Sequence, residues 1–332
     1  MSTVIAPAPS LPAPSLPARG LLDVPATAEV AVIESLAEYA QTLDLARLAG
    51  RTVGVVPTMG ALHAGHRSLI ERAARECDVV AVSIFVNPTQ FGEAADLANY
   101  PRTLESDLEV VAGAGAHLVF APSVGEMYPE WPAPVTTSVS IPELSRRWEG
   151  AARPGHFDGV ATVVVKLLSA AGRCRAYFGE KDFQQLAVVR RVARDLSLSA
   201  EVVGCETVRA EDGLALSSRN VRLSPEQRRA SLVLSRALRS GAALLASGEQ
   251  DPRAVEAHMA ELVSLEPSVT LDYAVVVQAD DLEPAPMLAT GRTLRLLIAA
   301  TLGSVRLIDN LDPDRAGLPH LRPHALDSHH VG

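Results

Sequence analysis

Apolar and polar positions along this chain fall into two rhythms. Five short runs are largely apolar, as strands buried on both faces of a sheet should be: 51–57, 79–86, 117–121, 175–178 and 201–205. Between them lie longer stretches with helical spacing. One runs from His66 to about Arg75, and another opens at Tyr100-Pro101-Arg102-Thr103 with Asp107 in its early turns. Two more run from Gly159 to Leu168 and from Phe183 to Leu196. Strand alternating with helix predicts an α/β fold, a Rossmann-like doubly wound parallel sheet. A helix over 30–49 precedes the first strand, and the proline-bearing stretch 122–158 reads as loop.

Past Thr207 the rhythm changes. Residues 209–220 are polar, turn-like and expected to be mobile. Ser224-Pro225-Glu226 then reads as a helix N-cap with proline at the first helical position. Helices are predicted over 226–246 and 252–265, and strands over 271–278, 293–300 and 305–311. The expected division is a disordered Pro/Ala-rich extension (1–28), a Rossmann-like ligand-binding domain (29–207), a smaller α+β lid domain (208–311) and a flexible tail (312–332).

Composition narrows the class. Net charge is −9 over 332 residues, which argues against a nucleic-acid surface. No apolar run reaches the roughly 18 residues of a membrane span. Cys77, Cys174 and Cys205 show no pairing pattern, so a cytoplasmic setting with reduced thiols is expected. Residues 1–18 contain no Lys or Arg, unlike a secretory signal. Only two of the 30 basic residues are lysines, Lys166 and Lys181. A lysine kept among arginines marks a place where a compact ammonium is needed. Lys181 fits that account, in the turn Gly179-Glu180-Lys181-Asp182 after a strand. Lys166, in an apolar helix, is better explained by a snorkelling stem.

The candidate chemistry centres on Pro57-Thr58-Met59-Gly60-Ala61-Leu62-His63-Ala64-Gly65-His66. This is a strand end, a glycine turn and a helix start. Two histidines three apart at a helix start lie on one side of it. The free N–H groups and the helix dipole point the same way, which suits an anion such as a polyphosphate. Zinc is the rival chemistry, but no third ligand stands at metal spacing. Asn87 and Gln90 also follow a strand end, where ligands of such sheets bind.

Five segments in this order are similar to the pantoate–β-alanine ligases, the pantothenate synthetase family of the His-x-Gly-His nucleotidyltransferases. They are 56–66, 84–91, 100–103, 177–185 and Leu216-Ser217-Ser218-Arg219-Asn220, within a match from about Val53 to Asn310. The resemblance implies ATP-dependent condensation of D-pantoate with β-alanine. Pantoate would attack the α-phosphorus of ATP, and β-alanine would then displace AMP from pantoyl adenylate. The resemblance also implies roles. His63, His66, Lys181, Ser217, Ser218 and Arg219 would serve the phosphates and catalysis. Pro57, Thr58, Met59, Gly60, Gly179 and Leu216 would line the ATP pocket, and Asp182 would hold the ribose. Gln90 and Gln185, with Asn87 and Met59 beside them, would bind pantoate. Asp107 would contribute to Mg²⁺, the metal expected with ATP. Arg153 could meet an anionic substrate, and His156 lies near the site without a role. Leu216 stands where relatives often carry methionine, a volume-conserving exchange. Ser106 replaces a second acid beside Asp107.

The family pattern suggests a homodimer through the first domain, small-molecule substrates only, and no nucleic-acid or membrane partner. Two other readings compete: a different adenylyltransferase or tRNA-synthetase fragment, and a catalytically silent ATP-binding protein. The acidic charge and the missing tRNA-binding extension count against a synthetase fragment. The glutamines and Tyr-Pro-Arg-Thr count against other adenylyltransferases. Intact His63, His66, Lys181 and Ser217–Arg219 count against silence.

Overall fold

A computed structural model describes residues 30–92, 97–286 and 293–315. The expected extension over 1–28 lies outside these residues, as does the expected tail from 316 onward. Six strands form the main sheet: β1 (Ala31–Ile33), β2 (Val53–Thr58), β3 (Val79–Ile84), β4 (Leu118–Phe120), β5 (Cys174–Gly179) and β6 (Ala200–Cys205). Their order is β1-β4-β3-β2-β5-β6, and every neighbouring pair is parallel. The connecting helices are α1 (Leu36–Leu48), α2 (Ala64–Glu76), α3 (Leu104–Gly113), α7 (His156–Ala171) and α8 (Phe183–Asp195). The doubly wound sheet is therefore present.

Side chains alternate across it as the pleat requires. Val79, Ala81, Leu118 and Phe120 join the core that α1, α7 and α8 cover. Val80, Val82 and Val119 join the core on the opposite face, with Leu69 and Ile70 of α2 and Val111 of α3.

Two expectations need correction. The helix expected over 30–49 is two elements, β1 and α1, separated at Ser35, whose side chain accepts from Glu38 N. β1 is three residues long and exists because it pairs with β4, a partner that local periodicity cannot show. The loop expected over 122–158 contains three one-turn helices, α4 (Val124–Met127), α5 (Pro142–Ser145) and α6 (Glu149–Ala152).

The chain runs outward from β2 to β3 and β4 on one side, then returns to place β5 and β6 on the other. The switch point therefore lies between β2 and β5, where a crevice opens beyond the strand ends. β2 pairs with β5 only at Gly54 and Val55. By Pro57 the two have parted, so a residue without an N–H costs no bond on that side.

The remaining residues form a second unit of α9 (Pro225–Ala246), α10 (Pro252–Ser264) and the antiparallel sheet β7 (Thr270–Gln278), β8 (Leu294–Leu302), β9 (Val305–Leu311). Ser224 and Gln227 make a reciprocal capping box at the start of α9, with Pro225 following the cap. Leu234, Leu238, Met259, Val276, Leu296 and Ile298 build its core. Their strand neighbours Val277 and Leu297 face the other way, into the core of the main sheet. The small sheet is thus sandwiched between its own helices and the first unit.

Candidate active site

A cleft of about 510 Å³ opens at the switch point. Its floor is the turn after β2. Gly60 has φ +81° and Ala61 φ +51°, two left-handed residues in succession. Asp107 holds this turn. Its Oδ1 accepts from Leu62 N at 2.7 Å, and its Oδ2 from Ala61 N at 3.0 Å and Thr103 Oγ1 at 3.1 Å. Asp107 is 2% exposed, with both oxygens engaged. Through these bonds Asp107 orients the turn.

The turn delivers His63 to the N-cap of α2. His63 Nδ1 accepts from Gly65 N at 3.1 Å, and His66 Nδ1 accepts from His63 N at 3.3 Å. The pair is a capping box built from two imidazoles. Because each ring accepts at Nδ1, each neutral ring carries its proton on Nε2, a donor left for a ligand. Burial pushes the His66 pKa down to about 4, helped by neighbouring His63, and burial and then Lys181 lower that of His63. Both rings are therefore neutral donors at pH 7. The glycine of His-x-Gly-His has a steric reason: a Cβ at residue 65 would lie 2.8 Å from His63 Cε1.

Across the crevice, the turn after β5 brings Lys181 and Asp182. Lys181 Nζ lies 3.7 Å from Asp182 Oδ1. Burial raises the Asp182 pKa, but Lys181 and then Arg219 outweigh it and hold the carboxyl below its ordinary range. Gly179, Leu216, Ser217, Ser218 and Arg219 complete this side of the cleft. Ser217 caps a 3₁₀ turn, its Oγ accepting from Arg219 N at 3.3 Å. Ser218 and Arg219 are exposed at the rim.

The loop after β3 supplies the far end. Gln90 donates from Nε2 to Met59 Sδ at 2.7 Å, and its Oε1 accepts from Asn87 Nδ2 at 3.1 Å. Asn87 Nδ2 also reaches Gly159 O at 3.1 Å, and its Oδ1 accepts from Tyr128 OH at 2.9 Å. Asn87 thus acts mainly by fixing Gln90. The Gln184-Gln185 pair divides: Gln184 is buried, tied to Glu149 N, Leu144 O and Arg147 O, while Gln185 lines the cleft. Val160, Val163, Val164, Leu167 and Phe178 give this end an apolar wall. Every residue expected at the site except Gly60 and Asp107 lines the cleft, and those two shape its turn.

His156 and Arg153 gain partners that their sequence context did not supply. His156 Nδ1 lies 2.9 Å from Gln90 O, and its Nε2 lies 3.0 Å from Arg153 Nη1. With Arg153 donating to Nε2, the proton sits on Nδ1 and is given to Gln90 O. Burial, and then the Arg153 charge, lower the His156 pKa to about 4. Lys166 lies outside the cleft, its Nζ 5.7 Å from the Tyr128 ring centroid. The three cysteines are buried and unpaired. Among the described residues no group of three His, Cys, Asp or Glu side chains is placed to hold a metal, and no helix is long and apolar enough to cross a membrane.

A switch-point crevice with neutral imidazole donors on one wall and a lysine turn and arginine strap on the other defines a nucleotide-using transferase or ligase of the α/β class. The comparisons give the family. The profile described as pantoate-beta-alanine ligase matches residues 31–312. The pantothenate synthetase of Deinococcus radiodurans is 54% identical over 272 residues, covering 80% of this chain and 95% of that one. That of Rubrobacter xylanophilus is 52% identical, covering 79% and 91%. The crystal structure of the Thermus thermophilus enzyme superposes with a TM-score of 0.78 at 46% identity, over 86% of this chain and 99% of that one. A pantoate-beta-alanine ligase from Francisella tularensis, described as complexed with beta-gamma ATP and beta-alanine, gives 0.68 at 31% identity, over 86% and 98%. The chain belongs to the pantoate–β-alanine ligase family, and it is an ATP-using ligase of pantothenate biosynthesis.

Proposed function

We propose that this cleft carries out both halves of the ligation in place. The observation that carries the reading is the pairing of two wall types in one crevice. One end offers donors and cations for phosphates, and the other offers amides set against an apolar wall. A short hydroxy acid with a branched hydrocarbon body fits the second end, and Gln90 and Gln185 bind its carboxylate and hydroxyls without adding charge. The carboxylate oxygen attacks the α-phosphorus of ATP, the bond to the bridging oxygen breaks, and pyrophosphate leaves. The β-alanine amine then attacks the acyl carbon, and AMP departs with the carboxylate's former oxygen.

His63 and His66 donate Nε2–H to phosphate oxygens, and Lys181 supplies charge that follows the α-phosphate through both steps. Asp182 accepts from the ribose hydroxyls. Ser217, Ser218 and Arg219 fold over the triphosphate by a local movement of their own segment. Asn87 and Met59 orient the pantoate end. Catalysis here is placement and charge stabilisation, with no covalent enzyme intermediate. Mg²⁺ enters with ATP as part of the substrate, carried by phosphate oxygens rather than by a protein cage. Asp107, with both oxygens bonded to the turn and to Thr103, stays with the turn.

Buried free thiols support a cytoplasmic enzyme, and the family pattern supports a homodimer through the first unit. Light scattering behind size exclusion tests the dimer. The deciding experiment for the function is exchange of labelled pyrophosphate into ATP with Mg²⁺ and D-pantoate but no β-alanine. Pantoate-dependent exchange is expected. Folded, ATP-binding protein that shows none would replace this reading with another acid substrate or a silent binding protein.

A further inference from the structure

Lys181 and the Ser217–Arg219 strap reach the cleft from distant parts of the chain, yet both are tied to one dipeptide near the end of β9, Asp309-Asn310. Asn310 Nδ2 donates to Glu180 O at 2.9 Å and to Lys181 O at 2.8 Å. Those carbonyls flank the Lys181 Cα, so capturing both fixes the direction in which the side chain leaves the turn. Asn310 is held in its turn. Its Oδ1 accepts from Arg295 Nε at 2.8 Å. Arg295 Nη2 donates to Glu180 Oε2 at 3.0 Å, and the guanidinium carbon lies 4.2 Å from the Phe183 ring centroid.

Asp309 serves the other segment. It accepts from Arg209 Nη1 at 2.7 Å and Nη2 at 2.9 Å, a two-pronged contact. Arg209 Nη1 also donates to Gly213 O at 3.1 Å, and the Arg209 backbone pairs with Ala215. Leu216 N closes this small hairpin on Val208 O at 2.9 Å, and Ser217 follows directly. Asp309 Oδ1 further accepts from Asn310 N at 2.8 Å, which joins the two halves. Asn310, Asp309 and Arg295 are 3%, 6% and 6% exposed. A buried ionic network adds little stability over a well-packed apolar core, so its presence needs another reason.

We propose that Asn310 and Asp309 are positioning residues for adenylation: they set Lys181 and the hairpin from which the Ser217–Arg219 strap extends at a fixed separation across the triphosphate site. This rests on the phosphate role given to Lys181 above. The second unit therefore contributes to the first chemical step through hydrogen bonds to main chain, without touching substrate.

The test is pantoate-dependent pyrophosphate exchange by wild type, Asn310→Asp, Asn310→Ala, Lys181→Ala and Arg147→Gln, each normalised to folded protein by thermal unfolding. Asn310→Asp keeps the size and the acceptor for Arg295 but turns an oxygen toward two carbonyls. It is expected to lower the exchange kcat about tenfold to a hundredfold, as a small misplacement of reacting groups does. The KM for ATP should rise and that for pantoate should hold, since Gln90 and Gln185 are untouched. Asn310→Ala should show the same split more weakly, and it answers the question if Asn310→Asp does not fold. Arg147→Gln breaks a different contact between the two units, with Glu283, and should exchange like wild type. Normal exchange per folded molecule in both Asn310 variants would overturn the inference, as would a loss equal for both substrates. Normal exchange in Lys181→Ala would instead remove the phosphate role of Lys181, and wild type without exchange would remove the proposed function itself.

Discussion

At the scale of single residues, the site is defined by where protons and charges can sit. The mutual capping of His63 and His66 fixes both tautomers, and burial keeps both rings neutral. Gly65→Ala should displace the His63 ring, whose Cε1 would lie 2.8 Å from the new Cβ. An exchange rate lowered on the order of tenfold, with the fold retained by circular dichroism, is expected. Lys181→Ala should lower exchange on the order of a hundredfold or more, the scale of losing one preorganised charge contact. Its melting temperature should stay near wild type, because the ion-pair partner it leaves, Asp182, has a side chain about half open to solvent. Acid should weaken the fold itself. His66 and His156 have pKa values lowered from the ordinary 6.5 to about 4, so between those limits the unfolded chain binds more protons. Stability present above pH 6.5 is therefore lost as pH falls, by roughly 1.4 kcal/mol per group per pH unit inside the window. Urea midpoints measured from pH 7 to 5 check this, and a His156→Asn variant should show a shallower slope. Lys181 could be singled out in sequence because a lysine stands out among arginines. The engagement of His156 could not, because its partners are a carbonyl 66 positions away and an arginine whose direction depends on the loop.

At the scale of elements, termini decide most of what matters. The start of α2 is both a structural cap and a wall of the cleft, so the same residues serve the fold and shape the site. The start of α9 is a cap only. Ser224→Ala should cost about 1 kcal/mol in thermal or urea unfolding and leave exchange unchanged. α7 meets the Gln90 turn through Gly159, where a Cβ would fall 2.4 Å from Thr89 O and 2.7 Å from Gln90 N. Backbone cannot yield as a side chain does. Gly159→Ala should destabilise by about 1–3 kcal/mol, the cost of overpacking, and should raise the KM for pantoate by moving Gln90. Long elements were legible from period and cap. The three-residue β1 and the one-turn helices α4, α5 and α6 were not, since each is shorter than the window in which a period can be recognised.

At the scale of the whole molecule, two cores meet at a crevice and one sheet belongs to both. Val277 and Leu297 pack on the first unit while their neighbours Val276 and Leu296 pack on the second. Closure of the strap is then a local event near residues 208–222 on a braced frame. Arg219 and Arg222 are exposed, and Val221 between them is 88% exposed. Trypsin should therefore cut after these arginines, and a non-hydrolysable ATP analogue with Mg²⁺ should slow that cut. Cleavage indifferent to the analogue would argue against closure. The alternation of strand and helix, the parallel sheet that follows from it, and the motifs at strand ends could all be read along the chain, because periodicity, caps and turn residues act over a few positions. The strand order, the switch point between β2 and β5, the engagement of Asp107 with the turn, and the ties from Asp309-Asn310 to the Lys181 turn and the 209–216 hairpin arose only in three dimensions. Each depends on which distant groups meet, and hydrogen bonds between positions a hundred or more residues apart leave no period in the chain.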